Sequence, residues 1–288
     1  MLEQYGQVIK DASLEKYNTY LIKSICKYLI FVDDSSKLKS LIDYLKRINE
    51  KYFIIGNGSN IILPNYYDGI VIKLKFNSLL IKDNFIEVGA SYMINKLALE
   101  TVNKGLKGLE WASGIPGTIG GSIVNNATCF KGELMPLIIK LDVLDNGEFK
   151  TITTKDFEYS YHYTSLKEKN IIVLKAYLKL ESGKREELLQ VIKDRTLKRR
   201  ETQPIKYPSA GSVFRNPENA DPAGKLIEEA GLKGLSIGGA EVSLKHGNFI
   251  INKNNATGED IKKLITKVHK EVLTKYNIDL ILEQEIIS

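Results

Sequence analysis

A chain of 288 residues, 43% hydrophobic and 26% charged, has the balance of an ordinary globular protein and the length for two or three packed units. Its net charge of +6 is diluted by 35 acidic residues, which lends a nucleic-acid surface only weak support, and no apolar run approaches the roughly 20 residues of a membrane helix. Cys26 and Cys129, with no CxxC and no histidine pair beside them, indicate neither a disulfide framework nor a metal site.

The N-terminal segment has no apolar stretch ending in a small-residue cleavage site, so a cytoplasmic location is expected. Residues 35–48 place Leu38, Leu41, Ile42 and Leu45 at spacings of three and four, which predicts an amphipathic helix. Three short apolar runs follow, YFII, NIIL and GIVIKL. They read as strand, glycine loop, strand, turn, strand, with Gly56, Asn57, Gly58, Ser59 and Asn60 in the loop. Residues 91–104 predict a second helix, leading into SGIPGTIGGS. From Ile138 to Leu180 short strands return, with Asn146-Gly147 as a hairpin turn. The segment EELLQVIKDRTLKRRETQP predicts a helix ending before Pro204 and marks the boundary of a second region. That region holds a helix at KLIEEAG, a long amphipathic helix at EDIKKLITKVHKEVLTKYN and a closing strand, IDLILEQEII. His269 lies among lysines of the long helix and reads as solvated. Strands and helices in segregated groups predict an α+β fold.

The loop at residues 56–60 lies between strands and lacks GKS or GKT, so it is neither a phosphate-binding Walker loop nor a dinucleotide fingerprint. It is either a tight turn or an anion-binding nest of main-chain amides. A second loop, Gly114-Ile115-Pro116-Gly117-Thr118-Ile119-Gly120-Gly121, sits about sixty residues on, flanked by Trp111 and Asn125-Asn126. Two such loops converging would clamp a diphosphate. The third constellation is Ser209-Ala210-Gly211-Ser212-Val213-Phe214-Arg215-Asn216. No histidine stands at a hydrolase spacing and GxSxG is missing, so Ser212 suits proton donation better than acyl transfer, or else simply satisfies a turn.

These three loops, with Gly224-Lys225-Leu226-Ile227-Glu228, Ile237-Gly238-Gly239-Ala240, Asn248-Phe249-Ile250-Ile251-Asn252-Lys253 and Leu282-Glu283-Gln284-Glu285, resemble the signature of the UDP-N-acetylenolpyruvoylglucosamine reductase family from about Asn18 to the C-terminus. The resemblance implies a two-lobed FAD-binding unit of the vanillyl-alcohol-oxidase (PCMH) type over residues 18–183, with lobes at 18–75 and 76–183, and a substrate-binding α+β domain over 198–288. The short path from Ser165 to Arg200 looks like the compact subtype. It implies NADPH as co-substrate, a UDP-sugar substrate, FAD on Gly56, Asn57, Gly58, Ser59, Asn60, Gly114, Ile115, Pro116, Gly117, Thr118, Gly120, Gly121 and Asn126, and no metal. Tyr161, Arg199, Arg215, Asn216 and His246 fall on the substrate side. The assembly expected is a monomer or weak dimer, without a membrane or nucleic-acid partner.

By the same resemblance Ser212 is the proton donor and Glu285 the assisting glutamate. A carboxylate facing an anionic substrate predicts a raised pKa at Glu285. The family's arginine after tyrosine is replaced here by His162, in Tyr161-His162-Tyr163-Thr164-Ser165. A forked permanent cation thus gives way to a ring that titrates near neutrality. If His162 is the working cation, activity falls as pH rises through about 6 to 7; if Arg199, Arg200 or Arg215 supplies the charge, the profile is flat. Two other readings stay open: an impaired sugar-nucleotide-binding paralogue, and another oxidoreductase of the same flavin fold.

Overall fold

The computed structural model describes residues 2–288. The chain forms two compact units that interleave along the sequence, one comprising residues up to Ile9, Leu29–Asn57 and Val71–Lys198, the other Lys10–Tyr28, Gly58–Ile70 and Arg199–Ser288. Compactness therefore does not follow the contiguous 18–183 and 198–288 segments. Three strands, Gln7–Ser13, Ile25–Val32 and Tyr66–Leu74, each begin in one unit and end in the other. Such crossings leave no mark on composition, which is why linker-like stretches do not reveal them.

The first unit is organised by a five-stranded sheet in the order Glu148–Ile152, Ile138–Asp145, Ile172–Lys179, Phe85–Gly89, Leu79–Lys82, with every neighbouring pair antiparallel. The predicted hairpin at Asn146-Gly147 is present. Asp145 faces Glu148 across it, and both turn residues take positive φ, 49° and 83°, the requirement that asparagine and glycine meet most easily. Helix α1, Ser35–Arg47, buries Leu38, Leu41, Ile42 and Leu45, the stripe read from spacing, and Asp34 caps it by accepting from the Lys37 amide. Helix α2, Ile94–Asn103, buries Ile94, Leu97, Ala98 and Val102. Helix α3, Ile119–Val124, belongs to the second glycine loop, and its Ile119 and Ile123 join a core with Trp111, Leu141 and Leu178. Each such side chain contributes about 1.5–3 kcal/mol on leaving water. Trp111 belongs to this core; its Nε1 donates to the Gly108 carbonyl at 2.8 Å.

Helix α4, Arg185–Thr202, is long and largely exposed, with Leu188 its one buried side chain. In the second unit, α6, Gly258–Tyr276, packs on a three-stranded sheet ordered Ser236–Ile237, Ala240–Val242, Ile250–Asn252, and α5, Ala223–Glu229, packs on α6. The α6 residues Ile261, Leu264, Ile265, Val268 and Val272 pack with Tyr20, Ile62, Phe214 and Ile250 in a second core. Helix α6 opens with a capping box, Thr257 and Asp260 each accepting from the other's amide. His269 does not stand alone in solvent: its Nε2 lies 2.6 Å from Asp279 Oδ1 and its ring leans on Phe214 at 6.4 Å. The closing segment is less continuous than predicted. Within it Glu285–Ile286 is the paired strand, running parallel to Ile61–Ile62.

Candidate active site

In the first unit the two glycine loops meet. Asn57 Nδ2 donates to the Pro116 carbonyl at 2.7 Å, and a Cβ on Gly56 would stand 2.7 Å from Thr118 Oγ1, so only glycine fits there. Lys73, buried enough that desolvation draws its pKa down, fixes the Gly56 carbonyl from below. Thr118 caps α3 through the Gly121 amide. The amides of Ile119 and Gly120 are held by the carbonyls of Tyr92 and Ala90 at 2.8 Å each, so these donors serve the fold rather than a ligand. Gly117 and Thr118 are buried, yet their amides are not among the loop's internal donors. Gly114 and Ile115 lead into this turn from a short 3₁₀ segment, Glu110–Gly114.

Asn126 lies just beyond α3, fully buried, at φ 42°. Its Nδ2 donates to Glu133 Oε1 and to the Ser160 carbonyl, both at 2.8 Å, while its Oδ1 is buried without a partner. An acceptor left open in this way among the described residues is one that a donor on a bound group can satisfy. The Ser160 bond ties Asn126 to the hairpin formed by Tyr159–Ser160 and Tyr163–Thr164, whose two-residue tip is Tyr161-His162. Thr164 Oγ1 adds a bond to the Val124 carbonyl at 2.7 Å. His162 takes φ 51°, and its ring stands edge-on to Tyr161 at 4.4 Å. The first unit thus gathers Gly56, Asn57, the 114–121 loop, Asn126, Tyr161 and His162.

In the second unit, three segments far apart in sequence lie side by side. The Glu285 amide donates to the Asn60 carbonyl at 2.9 Å, and Asn60 Nδ2 donates to the Glu283 carbonyl at 3.1 Å. On the adjoining side the Glu283 amide donates to the Val213 carbonyl and the Arg215 amide to the Ile281 carbonyl, 2.8 Å each, with Phe214 facing Leu282. Ser212 and Glu285, 73 positions apart in number, thereby sit on adjoining stretches of backbone. Gly58 belongs here too: at φ 62° its missing Cβ leaves room for the Tyr17 carbonyl. Ser59 connects Gly58 to Asn60. The predicted loop 56–60 is therefore divided, Gly56 and Asn57 in one unit and Gly58, Ser59 and Asn60 in the other.

Asn248, Glu283 and Gln284, which in sequence are only part of the signature segments, have definite work around Ser212. Asn248, buried, accepts from the Phe214 amide at 2.9 Å and donates to the Phe214 carbonyl at 2.7 Å, while its own carbonyl takes the Val213 amide. Gln284, also buried, donates toward the Ala210–Ser212 carbonyls. Burial pushes the Glu283 carboxyl up to about 7 against the opposing pull of Arg215. Arg215 Nε is itself buried with no hydrogen-bond partner. A polar residue facing inward looks like a surface residue in sequence; the signal that could have found these is their position within apolar runs, NFII and ILEQEII.

Of the remaining predicted residues, Asn216 uses Oδ1 to accept the Ala223 amide at the start of α5, leaving its amino group for other work. His246 Nδ1 accepts the Asn248 amide, so its ring proton sits on Nε2. Burial, with Lys233 nearby, draws its pKa below the usual imidazole value, and its ring meets Phe249 edge-on at 4.8 Å. Arg199, on α4, opens the last segment of this unit.

Residues 26–152 match the FAD binding domain family model, and residues 203–287 match the C-terminal domain of UDP-N-acetylenolpyruvoylglucosamine reductase. A reductase of that name from Caldicellulosiruptor bescii is 39% identical, over 97% of this chain and 90% of its own. The chain belongs to the UDP-N-acetylenolpyruvoylglucosamine reductase family. It is an FAD-dependent oxidoreductase of α+β fold. The Bacillus subtilis member is 36% identical over 99% of this chain and 95% of its own. A crystal structure of the Thermus caldophilus enzyme shares 31% identity, with a TM-score of 0.83 and 98% coverage of both chains. Among the described residues no helix is long and apolar enough to cross a membrane, and no cluster of three or more His, Cys, Asp or Glu could hold a metal.

Proposed function

We propose that this chain reduces UDP-N-acetylglucosamine enolpyruvate to UDP-N-acetylmuramate with electrons from NADPH. When bound, FAD supplies hydride to the enol-ether methylene carbon. The residues present suit that cofactor: the closed-off Asn126 Oδ1 and the buried amides of Gly117 and Thr118 offer an acceptor and two donors that the fold does not itself use. Gly56, Asn57, Gly58, Ser59 and Asn60 are the further contacts in this reading.

Hydride arrival at the methylene leaves negative charge on the neighbouring carbon and its carboxylate, so the protein must stabilise that charge and deliver a proton. In this reading Ser212 Oγ gives the proton to the carbon. A hydroxyl is a weak acid, but the carbanion is a strong base, so the transfer runs downhill. Glu285 assists beside the substrate carboxylate, and Arg215, Asn216, His246 with its Nε2 proton, Tyr161 and Arg199 hold the sugar nucleotide. His162 supplies the charge that the family's arginine would carry. The observation that supports the scheme most is the backbone pairing of residues 213–215 with 281–283 and of Glu285 with Asn60, which sets serine and glutamate on a shared framework.

The purified protein is expected to be yellow or to take up FAD on reconstitution, and to oxidise NADPH steadily only when the enolpyruvyl nucleotide is added. A protein that takes up no flavin, or that oxidises NADPH equally without that substrate, overturns the scheme. For His162, alanine is expected to lower kcat about 10²-fold and arginine to restore it, as removal of a single electrophilic donor typically does. Equal rates for His162→Ala and the parent would assign the charge elsewhere.

A further inference from the structure

Three successive carbonyls, those of Ala210, Gly211 and Ser212, converge on one side-chain nitrogen. Gln284 Nε2 lies 3.1, 3.3 and 3.3 Å from them. In an extended strand successive carbonyls alternate in direction, so this convergence requires the chain to curl. Gly211 supplies the bend at φ 77°. A Cβ there would meet nothing within 4 Å, so it is the backbone conformation and not crowding that calls for glycine.

Gln284 is 3% exposed and its orientation is determined. Carbonyls only accept, so the amino group must face them and Oε1 must find a donor on its other side. That donor is the Tyr20 hydroxyl, at 3.0 Å. Tyr20 is fully buried, and desolvation pushes its pKa well above the ordinary phenol range, so it remains an uncharged donor at any working pH. Beyond Ser212, Asn248 grips Phe214 at both its amide and its carbonyl. Ser212 thus ends one interior amide clamp and is separated from the other by Val213 alone, and the first clamp is aimed by a tyrosine from near the other end of the chain.

We propose that the Tyr20–Gln284 pair is the positioning device of the reduction's protonation step, curling residues 210–212 so that the Ser212 hydroxyl meets the substrate carbon. The inference rests on Ser212 being the proton donor. Proton transfer needs heavy atoms within hydrogen-bond reach, and a displacement of about 1 Å costs on the order of 10²-fold. Hydride delivery from NADPH to the flavin does not involve this hydroxyl, whereas hydride addition to the methylene reverses until the neighbouring carbon is protonated, so loosening the clamp slows net reoxidation and leaves the other half-reaction as it was.

The test uses the FAD-loaded enzyme in anaerobic stopped flow, comparing flavin reduction by NADPH with flavin reoxidation by UDP-N-acetylglucosamine enolpyruvate. Gln284→Met is expected to slow reoxidation about 10²-fold, and Tyr20→Phe about 3- to 10-fold. Both should raise the solvent deuterium isotope effect on reoxidation and lower its rate relative to flavin reduction. Adding Tyr20→Phe to Ser212→Ala should slow reoxidation no further, because the clamp has no hydroxyl left to aim. If Gln284→Met does not fold, Tyr20→Phe decides by the same criteria. Parent-like reoxidation in both clamp variants, or equal losses in both half-reactions, overturns the proposal while a slow Ser212→Ala leaves the proton-donor role standing. Fast reoxidation by Ser212→Ala removes both.

Discussion

Replacing Ser212 by alanine is expected to slow reoxidation of the reduced flavin by the enolpyruvyl nucleotide about 10²- to 10⁴-fold, the range that a positioned proton donor contributes. Flavin reduction by NADPH should continue near the parent rate, so the variant would accumulate in its reduced, bleached form when both substrates are present. The fold should tolerate the change, because Ser212 is anchored through its carbonyl, which accepts from Gln284 Nε2, and alanine keeps that carbonyl. Ser212→Cys, with a more acidic group at the same place, should recover part of the rate. The measurement is single-turnover flavin absorbance with each substrate alone; reoxidation of Ser212→Ala at the parent rate would remove the serine from the chemistry.

Local chemistry makes part of this molecule legible in its sequence. The α1 stripe of Leu38, Leu41, Ile42 and Leu45 and the Asn146-Gly147 hairpin follow from period and from backbone preference, and both occur as expected. The glycine loops were recognisable as places needing little side chain, but the reason differs from position to position. Gly56 yields space to Thr118, Gly58 to the Tyr17 carbonyl, and Gly120 to Ala90, all within the protein itself. What sequence could not reveal is long-range pairing. Asn60 bonds to residues 283 and 285, and Phe214 faces Leu282, and neither periodicity nor composition encodes such partners. The closing segment reads as one strand because its residues are apolar and β-branched, yet its pairing passes from residues 213–215 to residues 60–62 within a few positions, so the ladder is short on each side. The work of Asn248 and Gln284 is hidden for a related cause: an amide that satisfies buried main chain is chemically indistinguishable, in sequence, from one facing water.

Glu283 makes a second large effect measurable, this one on stability. Its folded-state pKa of about 7 stands above the ordinary 4.5 because burial penalises the carboxylate more than Arg215 relieves it. The sign follows from linkage. Between pH 4.5 and 7 the folded chain holds a proton at this site that the unfolded chain has released, so stability falls as pH rises through that window and levels off above it. A shift of that size corresponds to about 3 kcal/mol at 1.36 kcal/mol per unit; with part of the side chain still reaching solvent, about 2 kcal/mol is expected. His246 acts in the opposite sense: its depressed pKa favours the folded state above the unfolded value and removes that stability as pH falls through the folded value. The two are separated by comparing Glu283→Gln with the parent in denaturant titrations from pH 5 to 8, since His246 contributes equally to both. The difference between the curves should open steadily between pH 5 and 7 in favour of the glutamine variant, then remain constant, offset by whatever Arg215 loses with its counter-charge. A difference that does not vary with pH would mean that Glu283 titrates alike in the folded and unfolded chains, and that its burial does not govern its charge.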